Sequence, residues 1–338
     1  MSIPRLVQYV TASGERRVGV VADRDRIDEL AGVASILELA HEADTTGRAL
    51  IDLVAGRDRA ARVDYQALVD ERRLLPPIDH PDPAHLVISG TGLNHTGSAM
   101  ARDAMHGGSG AGDDADDEGV TDSIRMFRLG LRGGKPPAGA IGVAPEWFYK
   151  GDGSILIPPE HELPLPGFAG DGGEEAEAVA IYLIGVDGRP RRVGFALGNE
   201  FADHVIERQN YLYLAHSKLR ACSIGPELLL GPLPDSVQGE VRVRRGGAVL
   251  WQAAFLTGEA NMTHTLANME HHLFKYDLFR RPGDVHCHFL GAPILSCAHG
   301  IEPRAGDRFE IESPLFTRPL RNPLAERGED PLIAVAPL

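Results

Sequence analysis

Gly172-Gly173-Glu174-Glu175-Ala176-Glu177-Ala178-Val179-Ala180-Ile181-Tyr182-Leu183-Ile184-Gly185 runs an acidic cluster straight into an apolar, β-favouring stretch. Side chains alternate faces along a strand, so Glu175 and Glu177 point the same way with their carboxylates on one surface. Like charges that close repel unless one is protonated, both are solvated, or a divalent cation sits between them. Oxygen-only donors suit a hard ion, Mg²⁺, Mn²⁺ or Ca²⁺. On the E-x-E spacing alone, a solvated strand end is the plainer reading.

A second acidic strand end shifts that balance. In Val193-Gly194-Phe195-Ala196-Leu197-Gly198-Asn199-Glu200, Val193 to Leu197 reads as a strand and Asn199-Glu200 as its polar end. The intervening Val186-Asp187-Gly188-Arg189-Pro190 is a turn, which makes the pair a hairpin. Such pairing brings Glu200 beside Glu175 and Glu177. Three carboxylates from neighbouring strand ends form an open hard-cation site with room for water and substrate oxygens.

At this point the sequence resembles the fumarylacetoacetate hydrolase superfamily. The motifs keep that family's order: Phe148-Tyr149-Lys150 with Ser154, Glu175-Ala176-Glu177, Asn199-Glu200, Lys218 ahead of Ile224-Gly225-Pro226, Pro282-Gly283-Asp284, and Gly306-Asp307. They span roughly residues 85 to 315. The resemblance implies a metal held by Glu175, Glu177 and Glu200. It also implies catalytic roles for His95, Ser98 and Lys218, and substrate contacts from Lys150, Phe148, Asn199 and Gly291. Two departures matter. The third ligand is Glu200 where most relatives carry Asp, and Ser98 stands where the hydrolytic members carry the Glu that pairs with the histidine. The segment Gly90-Thr91-Gly92-Leu93-Asn94-His95-Thr96-Gly97-Ser98 is similar to the subgroup acting on 2-keto-3-deoxy or 2,4-diketo-3-deoxy sugar acids.

Composition bounds the rest. With 338 residues, 43% of them hydrophobic, the chain has material for one large or two modest domains. A net charge of −14 repels nucleic acid and anionic membranes. Residues 1 to 30 show no apolar leader-like core and no stretch reaches membrane-spanning length, so a cytoplasmic protein is expected. Cys222, Cys287 and Cys297 are too widely spaced for a disulfide framework or cysteine zinc site. The acidic Gly110 to Gly119 is expected to be a solvated loop, and the segment through about Asp122 a lid over the site.

Along the chain, residues 1–80 read as a small α+β accessory domain: strands at Arg5 to Val10, Arg17 to Val21 and Ile27 to Leu30, then helical spacing at Val33 to Ala43, Gly47 to Val54 and Tyr65 to Leu75. Pro76, Pro77 and Pro81 mark its end. Residues 81–338 are expected to form the catalytic domain. Its short strands at 239 to 257, Phe279 to Gly291 and Gly306 to Glu312 suggest a mixed β-roll or barrel, so the fold class is α+β. His264, His271 and His272 share a helix but lack zinc-protease spacing, and bonds to neighbours are the plainer reading. The resemblance thus implies a metal-dependent lyase that dehydrates a pentonate-like 2-keto-3-deoxy sugar acid through a metal-stabilised enolate, and family precedent implies a homodimer. The alternatives are a C–C hydrolase of 2,4-diketo acids and an inactive metal-dependent keto-acid-binding protein.

Overall fold

All nine residues of the strand Ala176–Ile184 are buried, which explains its unbroken apolar sequence. The strand is paired on both edges and covered on both faces. Val179, Ile181 and Leu183 enter one core, and Ala178, Ala180, Tyr182 and Ile184 the other. The protein is seen in a computed structural model that describes residues 3–105 and 120–338.

The strands, in chain order, are β1 (Arg5–Val10), β2 (Arg16–Val21), β3 (Arg26–Leu30), β4 (Arg59–Asp64), β5 (Leu86–Gly90), β6 (Phe148–Asp152), β7 (Leu156–Ile157) and β8 (Leu163–Leu165). They continue as β9 (Ala176–Ile184), β10 (Pro190–Asn199), β11 (Cys222–Ile224), β12 (Leu228–Leu229), β13 (Val237–Arg245), β14 (Ala248–Thr257), β15 (Val285–Phe289), β16 (Arg308–Glu312) and β17 (Leu320–Arg327). A 12-stranded mixed sheet runs β4-β3-β2-β1-β12-β10-β9-β15-β5-β6, with β11 and β7 branching from β10. A second sheet of five strands runs β14-β13-β16-β17-β8. Its inner residues Val243, Phe309 and Leu324 pack on Phe201, and Val241 and Ile311 on Leu197, just where β10 ends. Mixed sheets with flanking helices give an α+β fold.

The β9–β10 hairpin expected from Asp187-Gly188 is present, with Glu177 opposite Gly198 and Ala176 opposite Asn199. The first four strands do not build a sheet of their own: β1 pairs with β12, Arg5 opposite Leu229, so residues 5–64 extend the large sheet. Helix α1 (Ile36–Thr46), capped by Ser35 accepting from the Glu38 amide, buries Ile36 and Leu39 in the same core as Val179. The short helices α2 (Leu50–Gly56) and α3 (Tyr65–Asp70) follow, the latter shorter than its sequence suggested.

Two elements escape sequence pattern. Edge strand β4 exposes nearly every residue and so carries no apolar alternation. Helix α5 (Asp122–Gly133), capped by Thr121, begins where the segment expected as a lid ends. The segment expected as a lid lies almost wholly outside the described residues. The acidic loop Gly110 to Gly119 itself lies outside the described residues. Helices α4 (Thr96–Met105), α6 (His204–Gln209), α7 (Leu214–Lys218) and α8 (Leu266–Phe274) complete the fold. Among the described residues no helix is long and apolar enough to cross a membrane.

Candidate metal centre

Register builds the site. The β9–β10 pairing sets Glu175 and Glu177 beside Glu200, whose backbone amide donates to the Glu175 carbonyl at 2.9 Å. One oxygen from each of these three carboxylates lies within 4.8 Å of the others, and all three residues are buried. Burial raises the charged form's cost, and the carboxylates add to it: Glu177 is pushed well above the ordinary carboxylate range by burial, then by Glu200 and Glu175. Burial raises Glu200 too, opposed by Lys218. At Glu175 burial acts in the same sense, but Lys218 and His204 outweigh it and hold the carboxyl well below the ordinary range.

The donor set fits a hard divalent cation. It consists of carboxylate oxygens alone, and Glu200 Oε1 is buried without a hydrogen-bond partner. The cavity beside the triad has a volume of about 20 Å³, space for a water or an ion but not for a sugar acid. Its walls include Thr91, Ser98, Arg102, Phe148, Glu207 and Lys218.

Lys218, at the end of α7, is fully buried. Its Nζ donates to Glu175 Oε1, lies 3.3 Å from Glu200 Oε2, and sits 5.2 Å above the Phe148 ring. Burial works against its charge, but Glu175 and Glu200 raise it above the ordinary lysine range, so it stands as the ammonium counter-ion of the carboxylates. Phe148 is thus a wall of the pocket. Asn199 turns its Oδ1 to the Glu175 amide at 3.2 Å, ordering the strand end from behind. Gly291 donates its amide to Glu177 Oε2 at 2.7 Å; at φ 100°, a Cβ there would lie 2.9 Å from the Thr91 carbonyl. Lys150 spends its ammonium on the carbonyls of Phe201 (2.7 Å) and Lys218 (2.9 Å) and stays 3.5 Å from Glu200 Oε1. It braces the floor of the site rather than lining the cavity.

His95 and Ser98 sit differently from the sequence reading. The Ser98 hydroxyl lines the cavity but donates to the His95 backbone carbonyl at 3.1 Å, one turn back along α4, so it does not orient the imidazole. The His95 ring reaches Thr257 with Nε2 at 3.1 Å and borders a separate groove with Phe255 and Pro293. Burial holds it neutral, its pKa lowered to about 4. The physical reason is the path of the turn after β5: Thr91, Gly92 and Leu93 line the carboxylate cavity, whereas His95 lines the separate groove, and Ser98 and Arg102 return to the cavity from α4.

Sequence reasoning passed over four groups. Arg102 of α4 clamps two carboxylates, Glu146 at 2.7 Å and Glu207 at 2.6 Å, and Tyr211 donates to Glu146 at 2.8 Å. His204 contacts Glu175 Oε1 at 3.2 Å. Glu174 accepts from the Ser296 amide and hydroxyl, pinning the loop after β15. His288 bridges Ser89 and Thr91, fixing the turn that delivers Leu93 and Asn94. Arg102, Glu146 and His204 are visible as charged residues in stretches rich in other signals, but nothing in their spacing pairs them. The histidines expected to share a helix do not: His264 precedes α8, whose N-cap is Thr265, and bonds Asn94 and Thr263, while His272 within α8 bonds the Gly142 carbonyl.

No family model matches the sequence, and no curated protein is similar to it in sequence. Among solved structures, 2-keto-3-deoxy-D-arabinonate dehydratase complexed with magnesium and 2,5-dioxopentanoate superposes with a TM-score of 0.69 at 17% identity, covering 96% of this chain and 100% of that one. The apo form of that dehydratase gives 0.69 at 18% identity with the same coverage. The 2-hydroxyhepta-2,4-diene-1,7-dioate isomerase from Mycobacterium marinum gives 0.57 at 15% identity, again over 96% and 100%. At such identities the likeness shows the fold, and the neighbours are that dehydratase and isomerases of the fumarylacetoacetate hydrolase superfamily, the one whose ordered motifs this sequence resembles.

Proposed function

We propose that this protein is a divalent-metal-dependent dehydratase of a pentonate-like 2-keto-3-deoxy sugar acid. The observation that carries the reading is the buried Glu175, Glu177 and Glu200 triad with Lys218 against it, in a fold shared with a dehydratase seen with magnesium and a five-carbon dioxo acid. A hard divalent cation held by the three glutamates would supply Lewis acidity at a 2-keto acid's carboxylate and keto oxygens. Mg²⁺ is our first choice, with Mn²⁺ and Ca²⁺ as alternatives.

The chain's own residues divide the remaining work. Removal of a C3 proton sends its electron pair onto the C2 carbonyl oxygen. Return of that pair expels the C4 hydroxyl as water once it has gained a proton. A shift of a proton from C5 to C3 then turns the C5 alcohol into an enol and so an aldehyde, balancing to loss of one water. Glu207, which lines the cavity and is held by Arg102, is our candidate to accept the C3 proton, with Glu146 on the same arginine behind it. Lys218, the charged ammonium on the wall, is placed to hold the substrate carboxylate or to protonate the leaving hydroxyl. Phe148 closes the apolar side and excludes water. With a cavity this small, Lys218 and Arg102 would have to shift for substrate to enter, and the Lys218 ammonium would compete with a cation for Glu175.

Neither His95 nor Ser98 holds the position of a water-activating pair, which favours dehydration over C–C hydrolysis. The reading includes a cytoplasmic homodimer, which size-exclusion chromatography tests. The decisive experiment is incubation of the metal-loaded protein with 2-keto-3-deoxypentonates and with acylpyruvates. Appearance of a dioxo acid from the first supports the proposal. Cleavage of the second alone replaces it with hydrolysis, and metal-dependent binding without turnover of either replaces it with a binding protein.

A further inference from the structure

A second cavity lies on the opposite side of the second sheet from the carboxylates and shares no residue with theirs. It has a volume of about 510 Å³ and is formed by the end of α3, the turn between β13 and β14, and strands β16 and β17. Four arginines line it, Arg72, Arg244, Arg308 and Arg321, with only Asp70 and Glu160 as carboxylates. That is an unusual concentration of positive charge in a chain of net charge −14.

The arginines are only partly committed. Arg321 gives Nε to Glu160 at 2.8 Å, Arg308 gives Nη2 to Glu310 at 3.0 Å, and Arg244 gives Nε to Glu310 and Nη1 to the Gly247 carbonyl. Arg308 Nε is buried without a partner, and the exposed Arg72 guanidinium has no acceptor among the described residues. Asp70 is occupied by the Gln66 amide. Guanidinium forks left open in this way match phosphate and carboxylate oxygens two at a time.

Backbone conformation singles out the same place. Among the described residues, three that are not glycine have positive φ: Arg72 (52°), Leu93 (50°) and Glu160 (67°). Leu93 lines the carboxylate cavity; the other two line this one. Side chains with a Cβ avoid that region, and such residues persist where surrounding contacts impose them, most often around ligands. Here the Glu160 amide donates to the Arg321 carbonyl at 2.6 Å, and His161 Nε2 meets the Arg72 carbonyl at 3.1 Å, so the two strained residues are tied across the cleft.

We propose that this cleft binds a small, multiply charged anion, a phosphate monoester or a polycarboxylate, whose oxygens bridge Arg72 of the N-terminal segment to Arg244 and Arg308 of the second sheet. Because the two walls belong to different parts of the chain, the anion would clamp residues 1–80 to the second sheet and stabilise the protein without entering the metal pocket.

The test is isothermal titration of metal-free protein at low ionic strength with citrate, glucose 6-phosphate and inorganic phosphate, on wild type, Arg72→Gly and Arg308→Gln. We expect one saturable site for the polycarboxylate or for the phosphates, which identifies the class, and affinity about tenfold weaker or lost in both variants. Arg72→Gly without anion should melt at or above the wild-type temperature, since glycine adopts the positive φ freely. Mg²⁺ affinity should be the same in all three proteins. Absence of saturable binding to every probe overturns the proposal, as does equal binding by both variants. Loss of anion binding in Glu175→Gln would place the anion in the carboxylate pocket and overturn it as well.

Discussion

The two strand ends that face each other across the carboxylate cavity were built by different rules. At the β9–β10 hairpin, Glu175, Glu177 and Glu200 converge because antiparallel register leaves no freedom in which residues oppose. At the turn after β5, Gly90 to Ser98 crosses from strand to helix. There, which side chain meets the cavity depends on the path of the turn, set by His288 holding Thr91 and by Asn94 bonding the Leu290 carbonyl. The lesson is that carboxylate geometry is a property of pairing, whereas histidine geometry is a property of packing.

The sharpest way to break this contrast is at the triad. Glu175→Gln and Glu177→Gln should each lower Mg²⁺ affinity by ~10²-fold or more and abolish turnover, read by calorimetry and by dioxo acid formation. The apo fold of Glu177→Gln should keep its melting temperature or gain, since one buried repulsion is removed, whereas Glu175→Gln should melt lower, since Lys218 and His204 lose a buried partner. Retention of metal-dependent turnover by either variant would remove the triad from the mechanism.

Lys218→Met comes next. Turnover should fall by ~10²- to 10⁴-fold, the range for loss of an acid–base group, while Mg²⁺ binding is kept or tightened because the competing ammonium is gone. A parallel loss of both would make Lys218 a structural prop. Metal loading should also stabilise the wild type by about 2.7 kcal/mol at a hundredfold excess over Kd, and leave Glu175→Gln unmoved in the same thermal scan.

On the other side of the comparison, His95→Asn should cost less than about tenfold in turnover, because its ring faces Thr257 and not the cavity. Ser98→Glu should likewise fail to create hydrolase activity, since position 98 reaches the His95 carbonyl and not its imidazole. A drop beyond ~10²-fold in His95→Asn would return the histidine to catalysis.

A pH series sharpens the same contrast through stability. Burial holds His95 and His286 down to about 4 and His288 down to about 3, against 6.5 in the unfolded chain. Below pH 6.5 the unfolded state therefore takes up protons that the folded state refuses, so stability is full above that pH and falls as pH drops towards 4. At about 1.4 kcal/mol per pH unit and site, the three together should cost several kcal/mol by pH 5. Urea unfolding of His288→Gln should show a shallower fall than wild type between pH 6.5 and 5; identical slopes would mean that His288 is not held neutral.

Much of this molecule is legible in its sequence. Strands β1 to β3, the β9–β10 hairpin, β13, β14, β15 and β16 follow from apolar runs, turn residues and alternation. The triad follows from carboxylates placed at two strand ends one turn apart. These are local quantities, fixed by period and register, and the sequence alone carries them. Tertiary structure decided the rest. It joined residues 5–64 to the large sheet through two pairs of residues on β1 and β12, sent Lys150 to backbone carbonyls, turned His95 to Thr257, and closed Arg102 on Glu146 and Glu207. Arg102 and Glu207 come together from helices far apart in the chain, and ion pairs of that kind leave no period in a sequence. Their partners are chosen by which elements the folded core brings within a side chain's reach.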